Sequence, residues 1–494
     1  MNFIKVILWG DEIGRLAWDH RKNIAYFIYN AAIIDRIPDI APLISPKALR
    51  KALRPVYGDS RGIYHNLPPF LADSLPDYWG SLLFSKWIED KKIPRSNITP
   101  LHRLTFMGKR GMGAFEFEPA EEEFNKPGFI DIKALYDLSV KIFEERYNST
   151  VPEGEDITMH SLLQVGTSAG GRQKKAIIAI NRETGEIRSG QIAGLEGYDY
   201  FILKFGDEKI PISEIEMSYF RMATDADITM EESRLLPLDG VNHFLTHRFD
   251  RKNGKKIMMQ TLAAINPDAL NYEDLFDTCR FLKLTETELT QLYRRLVFNV
   301  LANNTDDHIK NFSFLLEEGE RWKLSPAYDL TFIFNATGTA PNDQHVFSVG
   351  GKLTRITKED LIEFAKNNDI RNPQKIIDEV AQAVGKFPEY AEKYGVWQPY
   401  RSMIKRRIED NLRAFGYLDS GRARRILTDS TDRKIVDFNV SINSKGMYVL
   451  RAVINGHPRR RFIRPDTEEF KALGRMDIYN LSDAEILQLV ETHF

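Results

Sequence analysis

The sequence predicts an α+β protein of two lobes, with a β-rich N-terminal subdomain before them and an α/β appendage after them. Three observations predict it. Strand-type patterns dominate up to about residue 260, helical patterns run from about 270 to 416, and a hairpin pattern with a short helix closes the chain. Segregated strands and helices argue against alternating βαβ units. A chain of 494 residues is too long for one core, so boundaries are expected at 1–105, 106–265, 266–418 and 419–494.

Residues 1–30 read as a β meander: IKVILWG, a turn at Asp11-Glu12, GRLAWD, a second turn, and IAYFIYN. NLPPFLADSLPDYWGS at 66–81, rich in proline, predicts an ordered loop that opens a helix from Trp79. DIKALYDLSVKIFEERY at 131–147 has apolar residues at helical spacing. LLQVGTSAGGRQKKAIIAIN is read as strand, glycine-rich turn, strand, and YFILKFG as a further strand closed by Gly206. SEIEMSYFRMATDADI predicts a helix, and HFLTHRFDR with KKIMMQTLA a strand pair or a strand and a loop. Thr285 with Glu288, and Thr357 with Asp360, have capping-box spacing. DFNVSINSKGMYVLRAVING reads as a hairpin turning at Asn443–Gly446, followed by the basic stretch HPRRRFIRP and a helix opened by Ser482 and Glu485.

Composition narrows the function classes. The net charge of −2 gives no global steering toward nucleic acid or lipid, although residues 421–464 carry eleven Lys and Arg against three Asp. One cysteine, Cys279, excludes a disulfide framework or a cysteine-rich zinc site and fits a reducing cytoplasm. The N-terminus lacks the apolar stretch and cleavage site of a signal peptide, and no run of 18 apolar residues predicts a membrane span.

The chemistry concentrates at NTDDHIKN, residues 304–311, between a helical pattern and the strand FSFLL. Asp306 and Asn311 stand five positions apart, the D-x-x-x-x-N spacing of kinase catalytic loops, where the aspartate accepts the hydroxyl proton and the amide oxygen meets magnesium. A second aspartate, Asp329, follows in LSPAYDL, where a kinase places its other metal-binding acid. Upstream, Lys204 lies among Phe201, Ile202, Leu203 and Phe205. A lysine buried there needs an anionic partner, which ATP phosphates would supply. Glu216, twelve residues later on the predicted helix, could pair with it. The loop containing Ser168, Ala169, Gly170 and Gly171 would let backbone N–H groups approach phosphate. Each part is weak alone, but their order is that of an ATP-dependent phosphotransferase with a protein-kinase-like fold.

NTDDHIKNFSFLL with LSPAYDL, HRFDR at 247–251, SAGGRQKKA and FLADSLPDYWG at 70–80 together resemble the HipA-type toxin kinases of bacterial type II toxin–antitoxin systems, over roughly residues 1–415. The resemblance implies Asp306 as catalytic base, Asn311 and Asp329 as Mg²⁺ ligands, Lys204 as an ATP-phosphate contact and Ser168 as a site of self-inhibiting autophosphorylation. It also implies a target such as an aminoacyl-tRNA synthetase and a helix-turn-helix antitoxin that binds operator DNA. The basic tail lies outside it.

Blander readings exist for each residue. Lys204 could be a strand-edge lysine with its head in water. Glu216 could be a surface glutamate, and the two glycines a hairpin turn. His308 is read as orienting the loop beside the nucleotide. Arg248 and Asp250 are read as a hinge near the nucleotide, with a structural ion-pair cluster as the alternative. His243 and His247 have four-residue spacing but share a strand, which suits a metal poorly. Other classes that remain are a catalytically silent kinase-like scaffold, a nucleic-acid-binding regulator acting through the basic tail, and a metal-dependent phosphohydrolase.

Overall fold

The structure, a computed structural model, describes residues 3–76, 78–120, 130–144, 161–163, 165–166, 173–191, 193–335, 340–418, 427–442, 447–464, 467–473, 476 and 481–494. The chain divides into two compact units. The first comprises Met1–Glu208, Met230–Leu289 and His308–Tyr328; the second comprises Lys209–Thr229, Thr290–Asp307 and Asp329–Phe494. The chain therefore passes back and forth between units rather than completing one before starting the next.

In the first unit the predicted meander forms β1 (Phe3–Leu8), β2 (Asp11–Asp19) and β3 (Ile24–Tyr29). Alternation drives it: Ile4, Val6 and Leu8 are buried on one face of β1. The sheet does not end by residue 105, the expected limit of its subdomain. After β4 (Val56–Tyr57), β5 (Phe115–Glu118) joins the far edge of β1, giving the order β4-β3-β2-β1-β5. The helix expected from Trp79 spans Tyr78–Asp90, and the one expected at 131–147 spans Ile132–Glu144 within the described residues.

The second sheet contains β6 (Lys175–Asn181), β7 (Ile187–Ser189), β8 (Tyr198–Lys204), β9 (Ser233–Leu238) and β10 (Val241–His247) in the order β7-β6-β8-β10-β9, all antiparallel. Trp79, Phe84 and Leu162 join Ile178 and Leu203 in its core, and the Trp79 indole N–H donates to the Lys175 carbonyl at 3.0 Å. The expected strand at LLQVG does not form. Residues 161–163 and 165 are helical, and Leu162 and Val165 are fully buried; residues three apart share one face of a helix but fall on opposite faces of a strand.

The two short strands β11 (Arg251–Lys252) and β12 (Lys255–Lys256) make a hairpin. KKIMMQTLA does not pair with HFLTHRF. It supplies β13 (Met258–Thr261), which pairs with β14 (Ser313–Leu316), and β14 with β15 (Lys323–Leu324).

The second unit holds the Ile212–Asp225 helix and helices Lys358–Asn367, Pro373–Val384, Phe387–Lys393 and Tyr400–Ala414. The Glu286–Ala302 helix begins in the first unit, where Thr285 and Glu288 form the predicted reciprocal cap. The cap at Thr357 and Asp360 is present as well. At the C-terminal end β16 (Leu427–Thr428), β17 (Lys434–Ile442), β18 (Tyr448–Ile454) and β19 (His457–Ile463) form a four-stranded sheet in sequence order, with the Asp483–His493 helix opened by Ser482 and Glu485. The turn expected at 443–446 lies outside the described residues; the basic stretch after it is strand β19 rather than a loose tail.

One strand histidine sets an acid limit on stability. His243 is fully buried on β10, with Nδ1 accepting the Gly206 N–H at 2.9 Å and the ring against Tyr136 and Phe205. Burial, aided by the Lys174 charge, pushes its pKa down to about 4. The folded state therefore binds fewer protons than the unfolded one. Stability is expected to fall by up to about 3 kcal/mol as pH drops from about 6.5 to 4. Melting across that range should show the loss in wild type, and His243→Asn, which keeps an acceptor for Gly206, should flatten it.

Candidate active site

Lys204 is the last residue of β8, the central strand of its sheet, and only 7% exposed. It sits in register with Lys175 on β6 and Phe244 on β10, its Nζ 5.8 Å from the Phe244 ring centre. Ser168, Ala169, Gly170 and Gly171 lie outside the described residues. The chain that follows them is tied to the same strand end. The Gln173 amide donates to the Phe205 carbonyl at 3.2 Å, and the Phe205 N–H donates to the Lys174 carbonyl at 2.9 Å. In the second unit, Glu216 is not the surface residue of the blander reading: it is 6% exposed within the Ile212–Asp225 helix.

The catalytic-loop candidate, residues 303–312, leaves the Glu286–Ala302 helix through Asn303 in the left-handed region (φ 57°). Arg407 Nε donates to the Asn303 side chain at 2.6 Å, and the Asn303 amide donates to the Asn342 carbonyl at 2.9 Å. The two adjacent acids then differ. Asp307 is buried, its carboxylate 2.7 Å from His345 Nδ1 and accepting the Val346 and Phe347 N–H groups at 2.8 and 3.3 Å. Those donors turn Asp307 inward as a structural anchor. Asp306 is only partly buried, so of the pair it is the one that can meet a substrate proton.

On the other side of this boundary, His308 Nδ1 accepts the Lys310 N–H at 3.1 Å and its carbonyl accepts the Asn311 N–H at 2.8 Å. His308 therefore orders the turn. Backbone bonds from Leu262 to Phe312 and from Ala263 to Ile309 pin the loop to its own unit. The Tyr328 hydroxyl, which donates to the Lys310 carbonyl at 2.7 Å, does the same from the far side. Asp329 follows in the left-handed region at φ 58°, a conformation aspartate adopts more readily than most residues. Asn311 in the first unit and Asp329 in the second each carry an oxygen donor of the kind hard cations take. Among the described residues no three His, Cys, Asp or Glu side chains gather as a protein-only metal cage.

Arg248 and Asp250 are placed in the interior. Asp250 accepts Arg248 Nε and Nη2, both at 2.8 Å, Arg251 Nη1 at 2.8 Å, and the Gly113 N–H at 2.7 Å. Gly113 presents that N–H from φ 74°, which only glycine adopts without strain. Burial alone would raise the Asp250 pKa, but the two guanidinium charges hold it far below the usual carboxylate range. With both oxygens engaged, Asp250 organises protein rather than nucleotide, so the geometry favours the ion-cluster alternative over the hinge reading.

Sequence reasoning missed Asp307 as an anchor and His345 as its partner, whereas it offers the Arg248-Phe249-Asp250-Arg251 run as an ion-pair cluster in the alternative reading. His345 lies 38 residues from Asp307 in an otherwise unremarked loop, and nothing local signals the pairing.

Comparison with known proteins places this geometry in a lineage. Residues 4–118 match the HipA N-terminal domain and residues 167–387 the HipA-like C-terminal domain. A Haemophilus influenzae protein named "Putative kinase" is 26% identical over 318 residues, 56% of this chain and 90% of that one. A Sinorhizobium fredii protein of similar name is 29% identical over 110 residues, 22% of this chain and 26% of that one. Among solved structures, HipA of the Shewanella oneidensis MR-1 toxin–antitoxin system, determined with HipB and operator DNA, aligns with a TM-score of 0.55 at 15% identity, covering 82% of this chain and 97% of that one. The likeness bears out the kinase-like α+β fold. Among the described residues no helix is long and apolar enough to cross a membrane.

Proposed function

The chain belongs to the HipA family, and from that premise we propose that it is an ATP-dependent protein serine/threonine kinase acting as the toxin of a toxin–antitoxin pair in the cytoplasm. Its target is a translation component such as an aminoacyl-tRNA synthetase, and its partner a helix-turn-helix antitoxin that carries it to operator DNA.

The observation that carries the reading is the split in the catalytic loop: Asp307 is locked inward by His345 and two backbone N–H groups, while Asp306 beside it is left partly exposed. Asp306 orients the target hydroxyl and accepts its proton. Lys204 neutralises charge on the ATP phosphates, and buried Glu216 on the Ile212–Asp225 helix orients the lysine. Asn311 and Asp329 hold Mg²⁺, which when bound neutralises charge on the transferring phosphoryl group. Such catalysis is mainly positioning and electrostatics, which suits a loop fixed by backbone bonds on both sides.

The test is transfer of labelled γ-phosphate from ATP to cellular proteins, compared between the intact chain and Asp306→Ala. A silent scaffold would bind ATP·Mg²⁺ in a thermal-shift assay without transferring phosphate. Ser168 is expected to gain phosphate on incubation with ATP. Mass spectrometry of the peptide 160–175 checks this, and an unmodified peptide after full turnover would remove self-inhibition from the scheme.

A further inference from the structure

Residues 427–494 form an α/β module beyond the end of the HipA-like match at residue 387. It has its own core, in which Tyr448, Leu450, Ile463, Ile486 and Val490 are buried together. Its charge is segregated by layer. Residues 427–464, which supply the sheet, hold eight Lys and Arg against three Asp, whereas residues 465–494, which supply the helices, hold two Lys and Arg against seven Asp and Glu.

The positive charge gathers on one strand. β19 is an edge strand, and Arg459, Arg460 and Arg461 on it are all exposed. Among the described residues none of the three forms a salt bridge. Arg460 lies directly opposite Arg451 on β18, a like-charge pairing that costs sheet stability. Two residues along the same face, Phe462 is 46% exposed, and the Arg460 guanidinium lies 4.4 Å from its ring centre.

Charged residues on an edge strand also serve to block strand-to-strand aggregation. That purpose needs no exposed phenylalanine and no like charges facing each other. A polyanion with flat, unpaired rings uses both features. Phosphates compensate the arginines, and a base stacks on the Phe462 and Arg460 planes. A duplex hides its ring faces, and an acidic peptide has none to offer.

We propose that this module binds single-stranded nucleic acid along its open edge strand, with Arg460 and Arg451 on the phosphates beside Phe462 as the stacking platform, and with Arg459 and Arg461, which alternate to the opposite face, reaching the phosphates around the edge. The site is independent of the phosphotransfer residues, so its success or failure leaves the kinase reading untouched.

The experiment is fluorescence anisotropy of the full-length protein with short labelled oligo(U) and oligo(dT) over a salt series. A duplex of the same length and polyglutamate serve as competitors. Binding of the single strands is expected to weaken steeply with salt. Replacing all three arginines by alanine should cut the logarithmic salt slope by about two, since each phosphate contact on a single strand contributes about 0.7. Phe462→Ala should weaken binding roughly tenfold with the slope unchanged, and Phe462→Tyr should restore it. If oligo(U) discriminates over oligo(dT), RNA is the natural strand; equal affinity identifies either strand as a ligand and equally supports the site. The proposal is overturned if neither oligonucleotide binds at low salt, if duplex or polyglutamate competes as well as the single strands, or if Phe462→Ala binds like wild type.

Discussion

Asp306→Ala is expected to melt within about 2 °C of wild type while losing phosphoryl transfer by about 10²–10⁴-fold, the contribution of a positioned general base. The fold should survive because Asp306 is partly exposed, whereas its neighbour Asp307 carries the buried bonds to His345, Val346 and Phe347. Steady-state rates with ATP and the phosphorylated cellular target, read beside a melting curve, check both halves. Asp329→Ala and Asn311→Ala should lower the rate as well, and raising Mg²⁺ should partly recover those two but not Asp306→Ala. Transfer by Asp306→Ala at the wild-type rate would remove Asp306 from the mechanism.

Asp250→Ala is expected to have the opposite profile, a large loss of stability in a residue with no place in the chemistry. Removing the carboxylate leaves Arg248 and Arg251 buried beside each other, both almost fully shielded from water. Breaking a buried pair in this way costs about 3–5 kcal/mol, or roughly 10 °C in melting temperature for a unit of this size. The strain is already visible in Arg251, whose pKa is pushed down to about 10 by burial and by the Arg248 charge. Because the Asp250 pKa is depressed in the folded state, its stabilisation is present above about pH 4 and is lost as pH falls further. Melting at pH 7 tests the first expectation; a wild-type midpoint for Asp250→Ala would show that the cluster contributes nothing.

How much of this was legible in the sequence follows the range of each interaction. The meander at 3–29, the caps at Thr285, Thr357 and Ser482, and the strand holding Lys204 rest on neighbours a few residues apart, and all were read correctly. The helical turn at 161–163 was misread because a short apolar run suits a buried strand or a buried helix alike, and the three-residue spacing of Leu162 and Val165, which favours the helix, is only a single pair. The pairing of β13 with β14 was missed because the register is set by a segment far along the chain. At the candidate site, spacing picked out Asp306 and Asn311 but could not say which of two adjacent aspartates turns inward. His345 decides that, from 38 residues away. The fate of Asp250 depends likewise on Gly113, 137 residues distant.

The interleaving of the two units has a consequence for how the protein is born. A ribosome releases residues in order, and domains ordinarily fold as they emerge. Here the first unit still lacks β14 and β15 until residue 324 has been added, and Asp329 comes later still. A chain that stops before residue 329 therefore lacks part of the proposed phosphotransfer set, and translation interrupted up to that point is expected to yield an inert fragment rather than an unregulated enzyme.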